Sequence, residues 1–141
     1  MTNAKLTPDT LQAWFDGSPF IAFMNLKVEA VDAEAGSLTV SMPMRPEFER
    51  GGPMKGQFHG GPVASLIDTV GDFAVALKVG GGVPTINFRV DYLRPSSGAV
   101  LTATANARRV GRSVAVVDID VHDEQGRLTA IGRGTYGMQV G

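Results

Sequence analysis

His59, Gly60 and Gly61 open a strongly apolar segment, and Asp68 follows inside it, flanked by Ile67 and Thr69. A helix beginning there presents unpaired N–H groups and the positive end of its dipole. Glycine costs roughly 1 kcal/mol against alanine in a helix interior, so two in succession ask for a reason. Without side chains, Gly60 and Gly61 let a substrate oxygen come close to the amides, as an oxyanion hole requires. Tight packing at the helix start would call for the same two residues, and His59 reads more readily as a structural capping residue of that helix than as a base. Asp68 is a candidate base or nucleophile. Helical spacing puts Gly61, Ser65, Asp68 and Asp72 along one polar side, with Asp72 reading as a solvated surface residue.

Other constellations carry less. Asp118, Asp120, His122 and Asp123 resemble a metal cluster in composition, but alternation places the first three on one solvated strand face before a turn. "GRGTYG" (132–137) matches a dinucleotide fingerprint in letters only, because no helix can follow it. "GGPMKGQF" has phosphate-loop glycine spacing without the Lys-Ser/Thr that the chemistry needs. The chain has no cysteine and two histidines, so thiolate chemistry is excluded and neither a metal nor a cofactor is expected. Thirteen basic against fourteen acidic residues, net charge −1, argue against a nucleic-acid partner. Arg108, Arg109 and Arg112 cluster at a strand turn, where they suit either a phosphate or plain solvation; Arg50, Lys55 and Arg89 are further cations. "MTNAKLTPDT" shows no basic stretch leading into an apolar run, and no apolar stretch approaches the ~20 residues of a membrane span. A cytoplasmic protein without membrane contact is expected.

These residues need elements to hold them. Thr7 as cap, Pro8 at the first position and Gly17 with Pro19 as a stop predict a short helix over about 8–16. "FMNLKVEAVDAEAGSLTVSMPM" reads as two strands around a turn at Ala35-Gly36. Arg45 to Gln57 is a Pro- and Gly-broken loop. Val63, Leu66, Ile67, Val70, Phe73, Ala74 and Leu77 form the apolar face of a long helix over about 60–79, ended by Gly80–Gly82. Four strands follow. In the first, Ile86, Phe88, Val90 and Tyr92 should share one face, with Thr85, Asn87, Arg89 and Asp91 on the other. Strands joined by short turns, with one long helix to cover, predict a single α+β domain over residues 1–141 with an antiparallel sheet.

"FHGGPVASLIDTVGDFAVAL", then "PTINFRVDYLRP" and "GRSVAVVDIDVHDEQGRLTAIGRGTYG", resemble the hotdog-fold acyl-CoA thioesterases of the phenylacetate-pathway (PaaI) type, over roughly Phe20 to Gly137. The resemblance implies a curved antiparallel sheet wrapped around one long helix. It also implies a homodimer or dimer of dimers (a homotetramer), with active sites between subunits. It assigns the N–H of Gly60 to polarising the thioester carbonyl. It makes Asp68, lent by the neighbouring subunit, the nucleophile or the base that activates water, and gives Thr85 the placing of that water. His59, Gly61 and the arginines Arg108, Arg109 and Arg112 become contacts for the acyl- or aryl-CoA substrate. One position departs: where the family often carries Asn or Gln six residues before the histidine, this chain has Pro53. Gln57 and Asn87 are the chemical candidates to replace it. Two other activities stay open: a hotdog acyl-thioester dehydratase or hydratase, and a non-catalytic acyl-CoA-binding module.

Overall fold

In the computed structural model, residues 6–141 are described; the expectation that the first five residues begin no leader lies outside them. Helix α1 (Pro8–Gly17) starts as the capping pattern predicts, Thr7 Oγ1 accepting the Thr10 amide at 3.1 Å. The chain then departs from expectation. Pro19 does not simply end α1 but occupies the first turn of a second helix, α2 (Pro19–Met24), so Phe23 and Met24 are helical rather than extended. Asn25, in the left-handed conformation at φ 55°, closes α2.

Strands β1 (Lys27–Asp32) and β2 (Ser37–Pro43) form the predicted hairpin, its turn closed by Gly36 at φ 68°. The Arg45–Gln57 loop contains two single 3₁₀ turns, Pro46–Phe48 and Gly52–Met54. Helix α3 (Gly60–Val79) follows, then β3 (Thr85–Tyr92), β4 (Val100–Val110), β5 (Val114–Asp123) and β6 (Leu128–Gly137). All pairs are antiparallel and the sheet order is β1-β2-β4-β5-β6-β3. The α+β expectation holds, and β3 crosses back to become a free sheet edge.

One face of the sheet packs on α3. Leu38, Val40 and Met42 of β2, Ala103 and Ala105 of β4, Val117 and Ile119 of β5 and Ala130 of β6 meet Val63, Leu66, Ile67, Val70 and Ala74 in one core. Small residues on β4 and β6 let the helix lie close. Gly71 shows how close: a methyl added there would sit 2.2 Å from the Tyr136 hydroxyl. That hydroxyl donates to the Asp68 carbonyl at 3.0 Å, tying β6 to the middle of α3. Phe73 meets Phe15 edge to face at 5.0 Å, which fastens α1 against α3. No helix among the described residues is long and apolar enough to cross a membrane.

Candidate active site

The start of α3 is bare in the way its sequence suggests. His59 is extended (φ −61°, ψ 155°), and its side chain does not cap the helix. Its own amide donates to the Phe48 carbonyl at 2.7 Å, which fixes the approach to α3. Pro62, third in the helix, has no N–H, so Gly60 and Gly61 present the free donors of this end. The two glycines differ. Gly61 faces open space, whereas a methyl on Gly60 would lie 3.1 Å from the Tyr92 hydroxyl, which donates to the Gly60 carbonyl at 2.7 Å. Gly60 is therefore glycine for packing as well as for access, and Tyr92 is a neighbour of the site that the sequence reading had left on a strand face.

Around Gly60 lies a cleft of 370 Å³ bordered by Arg50, Phe58, Val63, Tyr92 and Arg94. Gln57 does not line it. Its side-chain oxygen accepts from Arg50 Nη1 at 3.1 Å, so its contribution is to hold that arginine.

Asp68 occupies a second cleft, of 320 Å³, walled by Phe20, Ile21, Phe73 and Phe88, with Ser18 and Asp72 also lining it. Thr85 Oγ1 donates to Asp68 Oδ1 at 2.8 Å. Strict alternation had put Thr85 on the face opposite Phe88, Val90 and Tyr92. The structure corrects this with a bulge: Thr85 pairs with Tyr136 while Asn87 pairs with Thr135, so the extra residue Ile86 turns Thr85 toward the helix. Asp72 needs correction too. Its Oδ1 accepts the Val83 amide at 3.0 Å, and burial pushes its carboxyl up to about 6; the Val83 amide opposes that rise and the Asp68 charge adds to it. It is an anchored, half-buried group and not solvated surface.

Gly60 and Asp68 are eight residues apart on one straight helix, about 12 Å by helical rise. A single chain thus presents a donor end and a carboxylate in two different clefts. The remaining candidates lie elsewhere. Asn87 faces outward, lining a concavity of 610 Å³ on the outer sheet face, together with Arg89, Asp118 and Arg133. Neither Gly60 nor Asp68 borders that concavity, and of its charges Arg89 and Asp91 pair with each other, as do Asp118 and Arg133. Arg133 Nε donates to Asp118 Oδ1 at 2.6 Å, and Arg89 Nη2 to Asp91 at 2.9 Å. Arg133 holds the Asp118 carboxyl below the usual carboxylate range. Arg108, 3.5 Å from Asp118, belongs to the same network. Arg109 and Arg112 stand at the far end of the β4–β5 hairpin and line neither cleft. Of the apparent metal cluster, Asp123 is bound instead to Arg127 at 2.8 Å and to the amides of its own turn. The cleft walls from α2 and the cations Arg50 and Arg94 come from segments without a distinctive spacing; no local signal in the sequence marks Arg94, Phe20 or Ile21.

The chain belongs to the thioesterase superfamily, whose family model matches residues 55–130. Among its relatives, a putative esterase of Halobacterium salinarum is 36% identical, over 89% of this chain and 88% of that one. The acyl-coenzyme A thioesterase PaaI of Escherichia coli is 32% identical, over 77% of this chain and 76% of its own. The crystal structure of a thioesterase from Haemophilus influenzae superposes with a TM-score of 0.82 at 25% identity, covering 96% of this chain and 92% of that one. The family and the fold expected from the quoted motifs are those found.

Proposed function

We propose that this protein hydrolyses an acyl- or aryl-CoA thioester in a site shared by two copies of the chain. The observation that carries the reading is that the two halves of the needed chemistry stand on one helix at opposite ends of about 12 Å. Free amides lie at Gly60, and a carboxylate steadied by a strand hydroxyl lies at Asp68. Only a second copy, running the other way, brings Asp68 to the carbonyl held at Gly60. The free edge of β3 supports this. Ile86 and Phe88 are exposed there at 57% and 37%, with an unpaired ladder of backbone groups beside them. Apolar side chains and open hydrogen-bonding groups on one strand suit antiparallel pairing with the same strand of a partner.

The chemistry follows from charge. Attack on the thioester carbon puts negative charge on its oxygen, and the Gly60 amide at the helix start stabilises it. Thr85 occupies Asp68 Oδ1, which leaves Oδ2 for the attack itself. There it takes a proton from an attacking water, or attacks the carbon itself. On the water route the carbon–sulfur bond breaks and the departing CoA thiolate takes the proton that Asp68 removed. On the carboxylate route thiolate departure leaves an acyl–Asp68 anhydride. A water hydrolyses it to the free acid and Asp68, its proton neutralising the thiolate. Single-turnover hydrolysis in heavy-oxygen water separates the two routes by whether label enters Asp68. The clefts divide the substrate by polarity: Arg50 and Arg94 suit the phosphates of CoA, while Phe20, Ile21, Phe73 and Phe88 suit the acyl group. Arg50 and Arg94 thus join the Arg108–Arg112 cluster as candidates for the phosphates.

The test is a panel of CoA thioesters with wild type and Asp68→Asn. Wild type should release thiol, and the variant should lose about 10²–10⁴-fold in kcat with an unchanged circular-dichroism spectrum. Thiol release undiminished in Asp68→Asn removes that residue from the mechanism. Enoyl-CoA hydration, measured alongside, tests the dehydratase alternative, and tight acyl-CoA binding without thiol release would mark a binding module.

A further inference from the structure

Asp72 stands one turn beyond Asp68 on α3 and lines the same cleft. Its side chain bonds to the main chain of a different segment: the amide of Val83, a buried residue between α3 and β3. Two residues later comes Thr85, whose hydroxyl rests on Asp68. The pair of carboxylates therefore grips both ends of Val83–Thr85, Asp72 through the backbone and Asp68 through a side chain. Between them is Pro84, whose ring fixes φ and stiffens the segment, and whose carbonyl accepts the Gly137 amide at 2.8 Å. A shift at Val83 is thereby passed along to Thr85 instead of being absorbed.

We propose that Asp72 is a positioning residue for thioester hydrolysis: it clamps Val83 so that the Thr85 hydroxyl is held on Asp68. The inference rests on reading Asp68 as the reacting carboxylate. Among the described residues no cation lines this cleft to neutralise Asp72. Facing it are Asp68 on its own helix, the Tyr136 phenol from β6, the Val83 amide, and from the α1–α2 junction and α2 the uncharged Ser18, Phe20 and Ile21. Burial sets the Asp72 carboxyl at about 6, so the clamp is charge-assisted above that pH and weaker below it. Activity should then fall on the acid side for a reason located at Asp72.

Two measurements separate this inference from the activity reading. The first needs no substrate. In the amide NMR spectrum of the full chain, Val83 should shift with pH with a midpoint near 6, and the shift should vanish in Asp72→Asn, which keeps an oxygen acceptor but carries no charge. The second is kinetic. In Asp72→Asn the acid limb near pH 6 should disappear, with KM within about twofold of wild type and kcat flat from pH 5 to 7. Asp72→Ala and Thr85→Val should each lower kcat about tenfold, and the double variant no more than either alone, because both break one arrangement. If Asp72→Ala does not fold, Asp72→Asn combined with Thr85→Val replaces it. A Val83 amide indifferent to pH overturns the clamp, whatever the enzyme does. Losses that multiply in the double variant, with an active wild type, overturn the path through Thr85. A wild type that cleaves no thioester, with Val83 titrating as described, overturns the activity reading and leaves the clamp a purely structural one.

Discussion

Single residues in this protein carry two demands at once, and Asp72 shows what that costs. A carboxyl whose folded-state value is about 6, against an ordinary 3.8, holds its proton more tightly in the folded than in the unfolded chain. Its contribution to stability is therefore complete below about pH 4 and is lost as pH rises through about 6. Above that range the ionised, half-buried group strains the fold while it clamps Val83. Asp72→Asn has no proton to lose. Its melting temperature relative to wild type should climb between pH 4 and 7 and level off beyond. Thermal melts at pH 4.5 and 7.5 check this, and a constant difference between the two would mean that Asp72 does not titrate there. Gly60 is a milder case, fitting beneath the Tyr92 ring while keeping its amide clear.

Among the elements, β3 decides most. A regular strand would have sent Thr85 to the outer face with Asn87 and Arg89; the bulge at Ile86 sends it inward to Asp68. Thr85 is exposed and pairs at the strand's first position, so removing its hydroxyl should leave the fold alone. Thr85→Val should lose about tenfold in kcat, as expected for one hydrogen bond to a charged group worth roughly 1.5 kcal/mol. A melting temperature within a few degrees of wild type would accompany it, and kinetics equal to wild type would release Thr85 from the site. Helix α2 matters for the opposite reason: Pro19 looks like a terminator but starts a second helix, and that helix supplies the Phe20 and Ile21 wall.

At the scale of the whole molecule, the proposed site needs two chains, and that claim has a direct test. Gly60→Pro removes the amide donor at the first helical position, which suits proline's φ, and His59 before it is already extended. Its Cβ would sit 3.1 Å from the Tyr92 hydroxyl, which must give way, so the variant is used only with a circular-dichroism spectrum equal to wild type. Alone, Gly60→Pro and Asp68→Asn should both be nearly inactive. Co-expressed in equal amounts, random pairing in a two-fold dimer rebuilds one intact site in each mixed dimer, about a quarter of wild-type activity overall. A mixture as inactive as its parents would place both groups of each site in one chain.

How much of this was legible in the sequence follows from what is local. Helix α3 and its caps, the β1–β2 hairpin and the four closing strands rest on periodicity and turn residues, which act over a few positions, and these were readable directly. Gly60 and Asp68 could be singled out as candidates, because their oddity lies in their immediate neighbours. Whether Thr85 faces Asp68, which arginines border the cleft, and that Asp72 is tied down were not readable. Each depends on strand pairing or loop closure between residues 11 to 44 apart in the chain, such as Asp72 with Val83 and Arg50 with Arg94. The amino-acid pattern by itself determined an antiparallel sheet packed on one helix, with a glycine-opened start and an acid, Asp68, on the helix's polar side. Only the tertiary structure decided which side chains stand in register with that acid, because a one-residue bulge reverses the face of everything beyond it.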